Sequence, residues 1–181
     1  MTILTTKRLR LEPFADHHLD GLYALNSDPE VMRYITGKPQ ALEETKAGIA
    51  MIKERWLNTG FSWWSFIELA TGEIIGAGCI QYLARDPANP HEIGWRLRQN
   101  KWGQGFASEA AQCMAAFAFD TLDVELLCAI CDPENTKSTR VMRGLGMQYR
   151  GIEHWNDEDV AAYYLSRAEY ELKKTVIPPI S

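Results

Sequence analysis

The segment VELLCAIC, residues 124–131, carries apolar side chains on both faces when extended, which is the pattern of a central buried strand. A strand of that kind requires a sheet on either side of it and packing above and below. The chain just upstream supplies both. EIGWRLR, residues 92–98, is a second strand, and it runs into NKWGQGFASEAA, where two glycines two apart lead into an alanine-rich run. The periodicity predicts a helix over about residues 105–122, with Ala107, Ala110, Ala111, Met114, Ala115 and Ala118 on one face. A face built of small residues packs close against a sheet.

The remaining segments fill in the sheet. RLRLEPF (8–14) alternates as a half-buried strand does. DHHLDGLYALNSD reads as a helix. DPEVMRYI starts another, with Asp28 as N-cap and Pro29 at the first helical position. From 41 to 58 the spacing of Ile49, Ile52 and Trp56 predicts an amphipathic helix closed by Gly60. FSWWSFIEL and EIIGAGCIQYL, joined by ATGE, read as an antiparallel hairpin, and RDPANP as a loop. DPENTKSTRVMRGLGM supplies a turn and a helix with Val141, Met142 and Leu145 inward and Gly146 as its stop. MQYRGIEHW and VAAYYLSRAEYEL read as a closing hairpin around NDED. The order of elements is that of an α+β fold around one mixed sheet. Its length of 181 residues suits one domain, expected over 1–174 with a tail at 175–181.

A net charge of −5 argues against a basic nucleic-acid-binding face. No apolar run is long enough to span a bilayer, and MTILTTKRLRLEPF lacks the apolar stretch of a signal peptide. The expectation is a cytoplasmic protein with neither membrane nor nucleic-acid partners. Four cysteines include the C-x-x-C pair Cys128 and Cys131. On a strand, residues three apart point to opposite faces, and no second pair completes a zinc site. Core thiols and no metal are expected.

The glycine-rich turn has two readings of its own. The first N–H groups of a helix lack internal partners and sit at the positive end of its dipole, so the turn can cradle a phosphate. It can also be a tight connection that binds nothing. A dinucleotide-binding oxidoreductase is a poor match, although Gly103, Gly105 and Ser108 loosely mimic its glycine pattern and Asp123 lies twenty residues beyond Gly103. The third position is Ser, Asp123 precedes its strand, and no further β-α-β units follow.

Taken in order, LTTKRLRLEPF, DPEVMRYI, EIGWRLR, WGQGFASEA and the N-x-x-S…GLGM stretch resemble the GNAT superfamily of N-acetyltransferases, and within it the RimJ/RimL branch. The resemblance covers residues 4–172. It implies a central, mixed, mostly antiparallel sheet flanked by helices, with two splayed parallel strands at 92–98 and 124–131. It also implies acetyl-CoA as cosubstrate, whose pantetheine arm lies between those strands and bonds backbone near Leu97 and Arg98. The family's phosphate turn ends in G-x-[G/A], here Gly105 and Ala107. Trp102 stands where the family pattern has Gln or Arg, so backbone N–H groups of Gly103, Gln104, Gly105, Phe106, Ala107 and Ser108 would do most of the gripping. Arg98 and Lys101 can add charge. Asn135 matches the family's asparagine that contacts the pantetheine arm.

Acetyl transfer to an amine needs a deprotonated amine, a donor for the developing oxyanion and a proton for the departing thiolate. The resemblance implies an oxyanion donor near Leu97. It places Ser138, three residues after Asn135, beside the sulfur, while Glu92 opens the strand that enters the site and is the candidate base. Trp63, Trp64, Trp95, Trp155 and Tyr34 are candidates to line an acceptor pocket. A protein N-terminus, an amino acid, a polyamine and an aminoglycoside all remain open as acceptor. An acyl-CoA-binding sensor without turnover is the non-enzymatic alternative.

Overall fold

A computed structural model describes residues 1–176. In chain order its elements are β1 (Leu4–Thr5), β2 (Leu9–Pro13), α1 (Leu19–Asn26), α2 (Pro29–Met32), α3 (Leu42–Thr59), β3 (Trp63–Glu68), β4 (Ile74–Tyr82), β5 (His91–Leu97), α4 (Phe106–Asp120), β6 (Leu126–Cys131), α5 (Thr136–Leu145), β7 (Gln148–Trp155), β8 (Glu158–Ser166) and α6 (Arg167–Val176). The eight strands form one sheet in the order β1-β2-β3-β4-β5-β6-β8-β7. Every neighbouring pair is antiparallel except β5 and β6. That pair is joined through α4, so the sheet holds a single β-α-β unit among the described residues. They contain no repeated β-α-β architecture to bind a dinucleotide, which removes the oxidoreductase reading.

Local chemistry accounts for the elements. Asp28 Oδ1 accepts from the N–H groups of Glu30 and Val31, and Pro29 opens α2. β6 lies centrally, with Leu127, Cys128 and Ala129 fully buried. The small residues of α4 let it press onto β4 and β5. A Cβ at Gly78 would stand 2.8 Å from the Met114 side chain and 2.8 Å from the Gly94 carbonyl, so this approach requires glycine there. On the other face, Asn26 at the end of α1 reaches Arg96 of β5 (3.0 Å). Trp64 is fully buried and meets Trp56 of α3 and Phe117 of α4 edge-on, at 4.9 and 5.5 Å. It belongs to the core and lines neither large cavity, so it drops out of the acceptor-pocket candidates.

Two elements differ from the sequence reading. β1, only two residues long, is absent from it. More substantially, the last strand ends at Ser166 and the chain turns into α6, where the residue pattern predicts a strand continuing to 172. The reason is a capping box in the sequence SRAE. Ser166 N–H and Oγ–H both donate to Glu169 Oε2 (2.8 and 2.7 Å), and Glu169 N–H donates back to Ser166 Oγ (3.3 Å). Tyr170 then stacks on Phe119, with ring centroids 4.5 Å apart. The helix runs through residues 175 and 176 of the expected tail; residues 177–181 lie outside the described residues. No helix among the described residues is long and apolar enough to cross a membrane.

Candidate active site

β5 and β6 pair only at His91↔Leu127 and Glu92↔Cys128, then part. On its other side β5 stays paired with β4 as far as Gly76↔Leu97, and Arg98 N–H donates to the Ile75 carbonyl (2.8 Å). Backbone groups of an antiparallel strand alternate in direction. Arg98 facing β4 therefore turns the main-chain groups of Leu97 and Trp95 into the gap that opens beside β6. The Leu97 carbonyl is taken by the Trp102 indole N–H (2.9 Å). Trp95 and the Leu97 N–H remain to meet a ligand lying in the gap. Arg98, expected to share that role, has its N–H committed to β4, and its side-chain Nε is buried without a partner.

The turn after β5 leads into α4. Gly103 and Gly105 have φ of +73° and +82°, values that side chains with a Cβ rarely adopt. The first intrahelical bond is from Glu109 N–H to the Gly105 carbonyl (3.0 Å). The N–H groups of Phe106, Ala107 and Ser108 precede it, so they have no partner within the helix. A lock from the far side of the sheet holds this turn, and no sequence pattern signals it. Glu109 accepts from Arg8 N–H (2.8 Å), Arg8 Nε (2.7 Å) and Thr6 Oγ (2.6 Å), while Arg8 Nη1 donates to the Gln104 carbonyl (3.0 Å). The Arg8 guanidinium lies 4.1 Å over the ring of buried Phe106. The Phe106 ring and the Gln104 carbonyl thus serve this lock, the Gln104 side chain donates to the Asn100 carbonyl (2.7 Å), and neither residue lines the adjoining cavity.

A cavity of about 490 Å³ joins the turn to the gap, touching Leu97, Gly103, Gly105, Ala107, Ser108 and Asn135. Five cationic side chains, Arg33, Arg96, Lys101, Lys137 and Arg140, line it against two carboxylates, Glu30 and Glu134. In a chain of net charge −5 this is a local reversal of sign, suited to a polyanion. Lys101 is bound to Glu68 (2.7 Å), whereas Lys137, not singled out from the sequence, holds its ammonium 3.5 Å over the Trp102 ring.

Beside it lies a larger cavity of about 1020 Å³, and the two share Arg33, Tyr34 and Ile35 on one side and Trp95, Arg96, Asn135 and Ser138 on the other. Glu92 lines the larger one. Its carboxylate accepts from Gln81 Nε2 (2.9 Å), and Gln81 Oε1 accepts from the Trp63 indole (3.3 Å), which fixes the amide's orientation. Burial raises the Glu92 pKa above the usual carboxylate value, with the Gln81 hydrogen bond and Arg85 pulling the other way. Asn135 caps α5, its Oδ1 accepting from Ser138 N–H (3.1 Å), which leaves Nδ2 to donate to a ligand. Trp63, Trp95, Trp155 and Tyr34 border the larger cavity.

All four cysteines are free thiols. Burial pushes Cys128 up and Cys131 to about 11, the opposite of a reactive C-x-x-C pair. Among the described residues one cluster with ligating groups, Glu12, His17 and His18, has its ligand atoms within 4.8 Å of one another. His18 is buried, and its ring is already used by Glu12 at Nε2 (3.1 Å) and by Ala15 N–H at Nδ1 (3.2 Å).

Residues 8–148 match the family model described as an acetyltransferase (GNAT) domain. The chain is 33% identical over 153 residues to the uncharacterized N-acetyltransferase p20 of Bacillus licheniformis, covering 84% of this chain and 85% of that one. It is 31% identical over 176 residues to the uncharacterized N-acetyltransferase YnaD of Bacillus subtilis, covering 93% and 98%. Among solved structures, a GNAT-family acetyltransferase from Bacillus anthracis superposes with a TM-score of 0.79 at 25% identity, over 92% of this chain and 99% of that one. A mostly antiparallel sheet whose one parallel pair splays beside a glycine turn, and this agreement along most of its length, have one explanation: the chain belongs to the GNAT acetyltransferase family.

Proposed function

We propose that this acetyltransferase uses acetyl-CoA to acetylate a primary amine by direct attack in a ternary complex, as a RimJ/RimL-type enzyme acting in the cytoplasm. We read the expected domain over 1–174 as its single catalytic domain, carried on to Val176 by the end of α6. The observation that carries the reading is the junction of the two cavities. A cationic cavity with main-chain donors and a pocket with a half-buried carboxylate meet along Trp95, Arg96, Asn135 and Ser138.

The residues present fit CoA. The unpartnered N–H groups at the start of α4 suit a pyrophosphate, and the glycines beside them leave room for it. Asn135 Nδ2 and the main chain of Trp95 and Leu97 suit the amides of a pantetheine arm lying in the gap. When bound, CoA supplies the acyl group as an activated thioester. The Leu97 or Trp95 N–H donates to the oxygen that gains charge as the carbonyl is attacked. Glu92, directly or through water, receives the amine's proton, and its raised pKa brings its basicity closer to that task. Ser138 Oγ, which makes no hydrogen bond among the described residues, donates to the departing sulfur.

The test is a turnover screen. The protein is incubated with acetyl-CoA and a panel of peptides and small amines, following thiol release and the mass of each product. Amine-dependent thiol release with a product heavier by one acetyl group is expected. CoA binding without release for any amine would favour the sensor reading, and absence of CoA binding would overturn both.

A further inference from the structure

We propose that the acceptor is a small amine that also carries an oxyanion group, a carboxylate or a phosphate, bound by Arg96 while Glu92 serves the amine. This rests on the acetyltransferase reading above and names the substrate class of that site.

Glu92, Gly94 and Arg96 alternate along β5, so they share one face of the sheet. Their antiparallel partners are Gln81, Cys79 and Ala77, and Trp63 lies opposite Cys79 on the next strand. Between the two charged residues the floor is open. A Cβ on Gly94 would touch only the Cys79 sulfur, at 3.3 Å. The Cα atoms of Glu92 and Arg96 are four residues apart, about 13 Å along the strand, and their side chains face the same cavity.

Arg96 is a cation without a counter-ion. Among the described residues its one hydrogen bond is from Nη2 to the neutral Asn26 Oδ1 (3.0 Å), its guanidinium lies 4.6 Å over the Trp63 ring, and its Nε is buried with no partner. No carboxylate lies within ion-pair distance of it in the described residues. Burial lowers its pKa to about 10, so it stays charged at neutral pH. A half-buried guanidinium whose Nε is sealed from water and unpaired is unfavourable, and a bound anion would supply the missing partner in the two-pronged geometry that guanidinium groups favour.

Two more arginines surround the same space. Arg55 of α3 hydrogen-bonds only Met51 Sδ (3.3 Å) among the described residues. Arg85 follows Ala84, and both have left-handed backbones, φ of 61° and 52°. Consecutive non-glycine residues in that region store strain of a kind that gathers at functional sites. The acids facing this cavity besides Glu92 pair with none of these arginines. Asp159 binds His154 (2.9 Å), Asp132 caps the Glu134 N–H (2.7 Å), and Glu158 is exposed. A polyamine or an aminoglycoside lacks the oxyanion that Arg96 would pair with, and it would leave Arg55, Arg85 and Arg96 without a counter-ion.

The experiment measures kcat/KM with acetyl-CoA for glycine, β-alanine, γ-aminobutyrate and ε-aminocaproate, each against its carboxamide. Phosphoethanolamine against ethanolamine, spermidine, and a neutral dipeptide amide complete the set. For at least one spacing the acid should exceed its uncharged partner by about tenfold or more, the scale of one charged hydrogen bond, and Arg96→Gln should collapse that ratio. The carboxylate and phosphate arms show which oxyanion is taken. Parity or an amide preference at every spacing, or spermidine or the dipeptide amide outpacing every acid, overturns the assignment while leaving the acetyltransferase reading intact. Failure of every amine would sink that reading for this panel. Calorimetric titration of the N-acetylated acids and amides into the CoA-bound protein then decides the anion question alone, since tighter binding of the amides overturns it. The parent ratios need no variant, so they stand even if Arg96→Gln does not fold.

Discussion

The two cavities share seven lining residues yet are built by different means. The smaller adds main chain to its cationic side chains, namely the helix-start N–H groups, the glycines before them and the strand edge of Trp95 and Leu97. One stretch, residues 95–108, supplies that main chain. The larger is walled by side chains from α1, α3, β3, β4, β5, α5 and the β7–β8 hairpin. Main-chain donors have no rotamers and no titration, so they hold a constant part of a ligand and tolerate changes in side-chain chemistry. That is consistent with Trp102 occupying a position that the family pattern fills with Gln or Arg. Such a surface is vulnerable to shape instead, because a single Cβ can spoil it. The larger cavity has the reverse sensitivities.

If that contrast is right, changes of chemistry should act in the larger cavity and changes of shape in the smaller. The largest effect is expected from Glu92→Gln, which keeps the volume and removes the base. Its kcat/KM should fall by roughly 10² or more where the acceptor is protonated, and recover as pH nears the amine's own pKa. In the parent, the rate should drop as pH falls through the Glu92 pKa, above the usual carboxylate value. A raised carboxyl pKa means that ionising Glu92 opposes folding above its unfolded-state pKa, so Glu92→Gln should melt no lower than the parent at neutral pH. An unaltered pH–rate profile would remove Glu92 from the chemistry.

Ser138→Ala comes next, with kcat lower by about 10², the low end for such groups, and acetyl-CoA affinity little changed. A loss of affinity instead would make Ser138 part of the cofactor grip. Gly105→Val should weaken CoA binding by at least about tenfold, or roughly 1.4 kcal/mol, because φ is +82°, a conformation that a β-branched residue resists. Undiminished CoA binding by calorimetry would move the cradle elsewhere. Glu109→Gln is the mildest, a few-fold weakening through loss of its charged hydrogen bonds to Arg8. Burial pulls Glu109 upward, but the bonds from Thr6 and Arg8 prevail and hold its pKa below the ordinary value. The lock therefore contributes above the unfolded-state carboxyl pKa of about 4.3, and it is lost as pH falls through the lower folded-state pKa. CoA affinity measured on an acid titration should follow that order.

The same contrast explains which parts of the site are legible in the sequence. The cradle is legible because its signal is local: a strand, two glycines and a helix follow one another between His91 and Asp120. The splayed pair follows from family resemblance, not from periodicity. The SRAE capping box is in plain view, yet the alternation of VAAYYLS carries the strand expectation past it. Arg8 and Glu109 lie 101 residues apart, and no spacing rule joins them. Nothing in the sequence singles out Arg55, Arg85 and Arg96, since only the sheet order and the packing of α3 bring them to one cavity. Trp64 cannot be told from Trp63 without knowing which face the core takes.

The Arg8–Glu109 clasp has a reciprocal side. It restrains the glycine turn in the shape that receives a ligand, so a ligand that prefers that shape must in turn steady the clasp, by the same free energy. Binding at the start of α4 should then be felt across the sheet at its β1–β2 border, far in sequence from any group that touches CoA. Hydrogen exchange at the Arg8 and Leu9 amides, which donate to Glu109 and to Thr6 Oγ, would slow on adding CoA. The opening residues of the chain would thus act as a reporter of cofactor occupancy.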